Sequence, residues 1–435
     1  MKRLSLPIIA LCLLSLLLLG SGHALAEHQR ESTKPELQGR VVTGYQGWFR
    51  APGDGTEMGW VHWGPRKRFD LRQSSIEYWP DMSETTPGER FATAYRHADG
   101  SVAHVFSSAH PRTVKRHYEW MRDYGIGGAF QQRFVSGLRN PRGKASLNTV
   151  LKNTRNASRQ TGVPWALMYD LSGLKAGEIE SILYQDLKDL IADQKIFDDP
   201  YYLHHNGEPI IAIWGVGFAD HEKPRRYSVE ECFALVDLLR GETAFRRCAV
   251  MLGVPYGWRA NNRDASGHPR LHELLSKAQI ISPWSVGRYQ TPRQAERNAE
   301  QYIKPDIAWT RQHDAVYLPV IYPGFSWVNL KRAKGEQALP DYDAVPRLSG
   351  RFLWSQAVAA KQAGAEMLYV AMFDEVDEGT AIFKVTNDPP VNGAGGERFL
   401  TYGDDVPADH YLWLTGEIAR LLKGEIEPSE RMPGR

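Results

Sequence analysis

The chain has 435 residues, with 53 Lys+Arg against 51 Asp+Glu, a formal charge of +2. Both excess positive charges, Lys2 and Arg3, sit in an acid-free N-terminal leader, so the remainder is neutral and carries no charge signature for nucleic acid or anionic lipid as a partner. Thirteen Trp and 19 Tyr, beside 26 Pro and 39 Gly, exclude a disordered or fibrous chain and describe a packed protein with many shaped loops.

In chain order, the leader comes first. Lys2 and Arg3 precede an apolar stretch over residues 4–19, and Ala24-Leu25-Ala26 then supplies the small residues that a cut before Glu27 needs. The apolar core is too short for a stable membrane span, and no later stretch is apolar enough to be one. Residues 1–26 are expected to be a cleaved signal peptide, and the mature protein to be periplasmic or secreted, with no membrane partner after cleavage. Cys12 lies inside the apolar core rather than at the cut, which argues against a lipoprotein.

Eight short apolar, β-branched or aromatic runs follow, at residues 40–49, 127–134, 164–171, 209–217, 249–255, 280–289, 316–325 and 366–373. Helix-period segments lie between them, clearest at 113–124, 147–161, 178–194, 228–240, 293–313 and 352–363, with a last one at 408–422. Strands apolar on both faces, alternating eight times with helices, predict an α/β protein with a single (β/α)8 TIM barrel over residues 27–424. The open doubly wound alternative lacks its glycine-rich turn, because Gly44-Tyr45-Gln46-Gly47-Trp48 has the wrong spacing. Residues 425–435 read as a flexible tail.

Three connections are much longer than usual. Residues 50–110 follow strand one, with a hairpin expected near 101–108; residues 326–350 follow strand seven and 379–407 follow strand eight. All three come after strands, at the face where barrel active sites lie. Past the leader, only Cys232 and Cys248 remain. They fall at opposite ends of a βα layer, roughly 15 Å apart by helix rise, which is too far for a disulfide. Two buried free thiols are expected.

The eighth run ends in Asp374-Glu375-Val376-Asp377-Glu378-Gly379. Hydrolysing a glycosidic bond needs two carboxyl groups across the anomeric centre, one of them held protonated by burial or by its neighbour's charge. The same acids also suit a solvated turn. Trp48, Trp214, Trp284, Trp327 and Trp258 lie in or just beyond five strands, with Tyr169, Tyr256, Tyr289 and Tyr322 at similar depth. Such rings can floor a sugar-binding cleft. Gln132, Arg133, Asp170 and Arg288 are placed to bond hydroxyls, and are equally suited to salt bridges. The sequence has no Gly-x-Ser-x-Gly elbow, His-Glu-x-x-His, CxxC or P-loop.

At this point the chain resembles the glycoside hydrolase family 71/99-like proteins, and more distantly the family 99 endo-α-mannosidases. The markers are Gly44-Tyr45-Gln46-Gly47-Trp48-Phe49, Gly59-Trp60-Val61-His62-Trp63, Trp79-Pro80-Asp81-Met82-Ser83-Glu84, Tyr322-Pro323-Gly324-Phe325 and Phe373-Asp374-Glu375-Val376-Asp377-Glu378-Gly379-Thr380. The last is similar to the family 99 pattern Asn-Glu-Trp-His-Glu-Gly-Thr. The resemblance implies that Glu375 and Glu378 are the catalytic pair of a retaining α-glycosidase. Glu375 would act on the sugar's 2-hydroxyl to form a 1,2-anhydro intermediate, and Glu378 would act as general acid and then base. It implies neither a metal nor another cofactor. Asp374, Val376 and Asp377 depart from the pattern and put a mannose preference in doubt.

Aromatic placement and resemblance together assign substrate binding to Tyr45, Gln46, Trp48, Trp63, Arg133, Tyr169, Asp170, Trp214, Trp284, Tyr289, Tyr322, Trp327, Asp374 and Asp377. The expected partner is a carbohydrate, cut within the chain because the long loops suggest a cleft for several sugars. The alternatives are an α-1,3-glucanase-like hydrolase and a non-catalytic glycan-binding barrel. A barrel isomerase or aldolase would need a strand-end lysine base or a metal cluster, and neither is apparent. For both glutamates to meet one sugar, the chain must leave the β conformation at about Val376.

Overall fold

The computed structural model describes residues 34–219, 225–241 and 246–435. The signal peptide and the start of the mature chain at Glu27 lie outside these residues. Within them the chain forms β1 (Val41–Tyr45), a hairpin of β2 (Phe91–Arg96) and β3 (Val102–Val105), then β4 (Ala129–Phe134) and β5 (Trp165–Asp170). There follow β6 (His204–His205), β7 (Glu208–Trp214), β8 (Ala249–Val254), β9 (Ile280–Pro283), β10 (Val316–Tyr317), β11 (Val320–Ile321) and β12 (Leu368–Val370).

Nine of these pair in parallel, in the order β10-β9-β8-β7-β5-β4-β1-β12-β11. The count departs from the eight predicted strands because the seventh run is broken at Leu318-Pro319. Pro319 has no N–H to give to a ladder. Its carbonyl accepts from Tyr369 N at 3.0 Å, while Leu318 N donates backwards to Ile281 O at 2.9 Å. One half of the run therefore belongs to β9 and the other to β12. The sheet curls until its two ends meet in one chain segment, as in a TIM-barrel-like fold. β1, β5 and β8 are buried at every residue, as a parallel sheet filled within and covered by helices requires.

The helices begin where the chain supplies caps. Ser228 and Glu231 form a capping box at Val229–Arg240, and Thr291 with Gln294 does so at Pro292–Asn298. Pro141–Thr161 starts six residues earlier than its apolar period predicts, because Asn140 accepts from Gly143 N and Pro141 takes the first helical position. Each Leu or Ile buried against the sheet contributes about 1.5–3 kcal/mol.

The long connection after β1 carries the expected hairpin, with β2 preceding the segment where it was expected. Trp63, Phe69, Trp79 and Tyr95 from this connection pack against Phe399 from the connection after β12, with Trp79 and Phe399 centroids 5.1 Å apart. A second aromatic core thus ties two long loops together above the sheet. Cys232 and Cys248 are free and buried, and burial pushes both thiols up to about 12. Residues 425–435 are mostly exposed but not loose. Trp354 Nε1 donates to Ser429 O, Arg435 pairs with Asp409, and Met432 packs on the core. Among the described residues, no helix is long and apolar enough to cross a membrane.

Candidate active site

β12 ends at Val370, so the chain leaves the β conformation six residues before Val376, where it was expected to. Residues 376–379 then form a tight turn, closed by Thr380 N and Ala381 N donating to Glu375 O at 3.1 and 3.0 Å. Gly379 stands at φ +67°, and a Cβ there would lie 2.8 Å from Ser326 N. Only glycine satisfies both constraints.

This turn and the strand ends enclose a cavity of about 300 Å³. It is lined by Gln46, Trp48, Gln132, Phe134, Asp170, Ser172, Trp214, Trp284, Met372, Glu375 and Glu378. Trp214 meets Trp284 edge-on at 5.7 Å. The indole N–H groups of Trp48 and Trp214 and the Oε1 of Gln46 are buried without a partner in the protein. A larger groove of about 630 Å³ lies between outer helices. There Glu231 is already committed to Ser228 N and Gly177 N, so size does not mark the site.

The four acids of the turn occupy different environments. Glu375 accepts from Gln46 Nε2 at 2.7 Å and from Thr380 Oγ1 at 2.6 Å. Glu378 is half-buried; its backbone carbonyl accepts from Ser326 N at 3.0 Å, and its carboxyl group accepts no hydrogen bond among the described residues. Burial raises both carboxyl groups: Glu375 well above the usual range, with Glu378 and Asp377 adding to the effect, and Glu378 up to about 7, opposed by Lys334. Desolvation and the neighbouring negative charges thus favour the protonated form of both acids.

Asp374 is fully buried and accepts from Gln46 N at 2.8 Å and Gly47 N at 2.9 Å. Burial pushes it up to about 7 against those two bonds. Arg50 secures the same loop from behind, donating to Gly47 O and Phe49 O. Asp377 accepts from or donates to His62 Nδ1 at 3.0 Å, and the His62 ring stacks on Trp48 with centroids 3.7 Å apart. Neither aspartate lines the cavity. Expected to contact substrate, they instead hold Gln46, which is part of the wall, and His62, which stacks on the wall residue Trp48. Asp170 does line it, and burial pushes it up to about 6 while Ser172 opposes.

Of the other expected binding residues, Gln46, Trp48, Asp170, Trp214 and Trp284 converge on the cavity. Tyr45, Trp63, Arg133, Tyr169, Tyr289, Tyr322 and Trp327 do not. Tyr45 bonds His117 Nδ1 at 2.9 Å, Arg133 and Tyr169 both bond Asp186, and Tyr289 bonds Gln356. Tyr322 bonds Tyr289 O, Trp63 is core packed on Phe49 and Phe106, and Trp327 lies beneath Lys331. Strand parity separates the sets. Gln46 and Trp48 point in and Tyr45 out; Gln132 and Phe134 in and Arg133 out; Asp170 in and Tyr169 out. That alternation could have supplied Phe134, which sequence reasoning missed. Nothing in the local sequence marks Ser172, Met372 or His62. Among the described residues, no group of three or more His, Cys, Asp or Glu side chains could hold a metal.

No family model and no curated protein matches the chain. Among solved structures, the chain is similar to the GH99 endo-alpha-mannosidase from Bacteroides thetaiotaomicron, at 13% identity and a TM-score of 0.62, over 89% of this chain and 98% of that one. The same enzyme in complex with bis-tris propane matches at 13% identity and a TM-score of 0.59, with the same coverage. The shared property is the fold.

Proposed function

We propose that the protein is an exported glycoside hydrolase that cleaves α-linked glycans with retention, using Glu375 and Glu378. One observation carries this reading: two glutamates from a single turn face one tryptophan-walled cavity, and burial, with Asp377 adding to it, raises both. The fold shared with a GH99 endo-alpha-mannosidase supports it. A glycan-binding barrel would need the aromatic walls but not a buried pair of acids, which is costly to maintain.

In this mechanism the C–H faces of the sugar lie against Trp48, Trp214 and Trp284. Glu375, whose bonds from Gln46 and Thr380 favour its ionised form against the burial that raises it, takes the proton of the 2-hydroxyl as that oxygen attacks the anomeric carbon. Glu378, whose carboxyl group has no donor among the described residues, gives its proton to the departing glycosidic oxygen. Water then opens the 1,2-anhydro intermediate, with Glu378 removing its proton and Glu375 returning one to the 2-oxygen. Asp374, Val376 and Asp377 change the backing of the pair relative to family 99, so α-glucans stand beside α-mannans as substrates.

The test is to incubate the mature protein with α-mannans, α-glucans and aryl α-glycosides, and to follow the first product by proton NMR. Release of the α-anomer is expected. A β-anomer overturns the mechanism, and no release from any of them overturns the hydrolase. Export rests on Ala24-Leu25-Ala26, and intact mass of the exported protein should lack residues 1–26.

A further inference from the structure

The turn that carries the glutamates is held from behind by a buried arginine outside the cavity. Arg347 lies in the long connection after β11 and is 4% exposed. Its guanidinium carbon sits 4.7, 4.7 and 4.6 Å from the ring centroids of Tyr78, Tyr402 and Tyr411. Gly324, part of the Tyr322-Pro323-Gly324-Phe325 motif, makes room for it, since a Cβ there would lie 2.6 Å from Arg347 Cγ. One nitrogen, Nη2, donates to Gly379 O and to Ala381 O, both at 2.8 Å. Those carbonyls flank Thr380, whose hydroxyl donates to Glu375 Oε2 at 2.6 Å. Tyr402 OH adds a second donor to Ala381 O at 3.1 Å.

A buried cation needs a reason to be there, because desolvating a guanidinium is costly without charge or hydrogen-bond compensation. The three rings supply part of that compensation through their π faces. The two carbonyls satisfy Nη2, while Nε and Nη1 face the rings without a hydrogen-bond partner among the described residues, and these carbonyls lie on either side of the one residue whose side chain reaches Glu375 from the turn itself. The ring cage prevents the guanidinium from following the turn if it moves. Arg347 touches neither the cavity nor the reacting groups.

We infer that Arg347 is a positioning residue: by fixing the carbonyls on both sides of Thr380, it sets the Thr380–Glu375 hydrogen bond and thereby the protonation of Glu375. The inference rests on the proposed role of Glu375 as base, but its test does not depend on turnover alone. Glutamate side chains are labelled with ¹³C, and the Glu375 carboxyl, assigned through Glu375→Gln, is titrated in wild type, Arg347→Met, Arg347→Lys, Thr380→Val and the Arg347→Met/Thr380→Val double variant. Turnover on the substrate found for wild type is measured alongside.

Losing the Thr380 donor disfavours the carboxylate, so Thr380→Val should move the Glu375 titration upward. Arg347→Met should move it the same way and lower kcat about tenfold at unchanged KM, the size of one charge-assisted hydrogen bond. The double variant should be no worse than Thr380→Val alone, because both changes remove one interaction. Arg347→Lys, one bond shorter and able to meet only one carbonyl, should shift the titration less. If Arg347→Met does not fold, the Lys variant decides. A lowered melting temperature with wild-type Glu375 titration, or effects of Arg347 and Thr380 that multiply, would overturn the inference. Full activity in Glu375→Gln would overturn the proposed function instead, and the titration would still judge Arg347.

Discussion

Two clusters of buried charge lie within this molecule, and they are built on opposite principles. Behind β4 and β5, Arg133 donates to both oxygens of Asp186 at 2.7 Å, Tyr169 adds a third bond to it at 2.8 Å, and Asn148 accepts from the same guanidinium at 2.7 Å. Both charged side chains are 2% exposed, and each is matched by its opposite. At the end of β12, Asp374, Glu375, Asp377 and Glu378 crowd together, and among the described residues no Lys or Arg donates to any of their carboxyl groups, while His62 Nδ1 stands 3.0 Å from Asp377. A matched pair closes its own account and does nothing further. Burial without a counter-charge favours the protonated form of Glu375 and Glu378, and a held proton is one that can be given to a substrate. This contrast, rather than burial alone, separates a structural cluster from a candidate catalytic one.

The sharpest way to break the comparison is to neutralise the unmatched acids. Glu375→Gln and Glu378→Gln should each lower turnover about 10²-fold or more, the size of lost acid–base catalysis, with melting temperature near wild type because the amide keeps the volume. Asp377→Asn should be milder, since Asp377 holds His62 and acts on the two glutamates only by repulsion. Were it the most damaging of the three, the pair would be wrongly assigned.

The matched cluster should respond in reverse. Asp186→Asn leaves the Arg133 guanidinium buried without its counter-charge, which costs about 3–5 kcal/mol. Denaturant unfolding should show that loss, while turnover per folded molecule stays near wild type. A large fall in kcat of the folded variant would erase the distinction between the two clusters.

A smaller effect lies in the pH dependence of stability. The Asp374 carboxyl is pushed up to about 7 by burial, against roughly 4 in an unfolded chain. Its folded value is the higher one, so its contribution is fully present below about pH 4 and is lost as pH rises through about 7. The slope is at most about 1.4 kcal/mol per pH unit. Asp374→Asn has no proton to lose and should flatten the fall in melting temperature between pH 5 and pH 8. An unpaired Gln46 or Gly47 N–H would lower the whole curve by about 1–3 kcal/mol without restoring the slope. An unchanged slope would show that Asp374 is ionised in the folded protein.

Much of this was legible in the chain itself, and the reason is locality. The alternation of apolar runs with helical periods requires only neighbours in sequence, so it announced the parallel sheet and its helices. The placement of long insertions after strands put the loops at one face, and the acid run after the eighth apolar stretch located the turn. Side-chain direction was harder. Tyr45, Arg133 and Tyr169 sit beside true cavity residues and were read as binding groups, although a shift of one position on a strand reverses the face.

What only the tertiary structure decided is which distant groups meet. His62 stacks on Trp48 through a loop whose path depends on the aromatic core of Trp63, Phe69 and Trp79, and nothing local in Gly59-Trp60-Val61-His62-Trp63 says that the histidine rather than the tryptophan approaches the site. Gln46 and Asp374 are 328 positions apart and bond because β1 and β12 lie side by side. The broken seventh strand could be seen as a proline in an apolar run, but that its halves would join different neighbours depends on where the sheet must close. Protonation belongs to the same class. A glutamate's sequence neighbours do not determine its pKa; desolvation does, and desolvation exists only once the walls of the cavity have been assembled from six separate strands and loops.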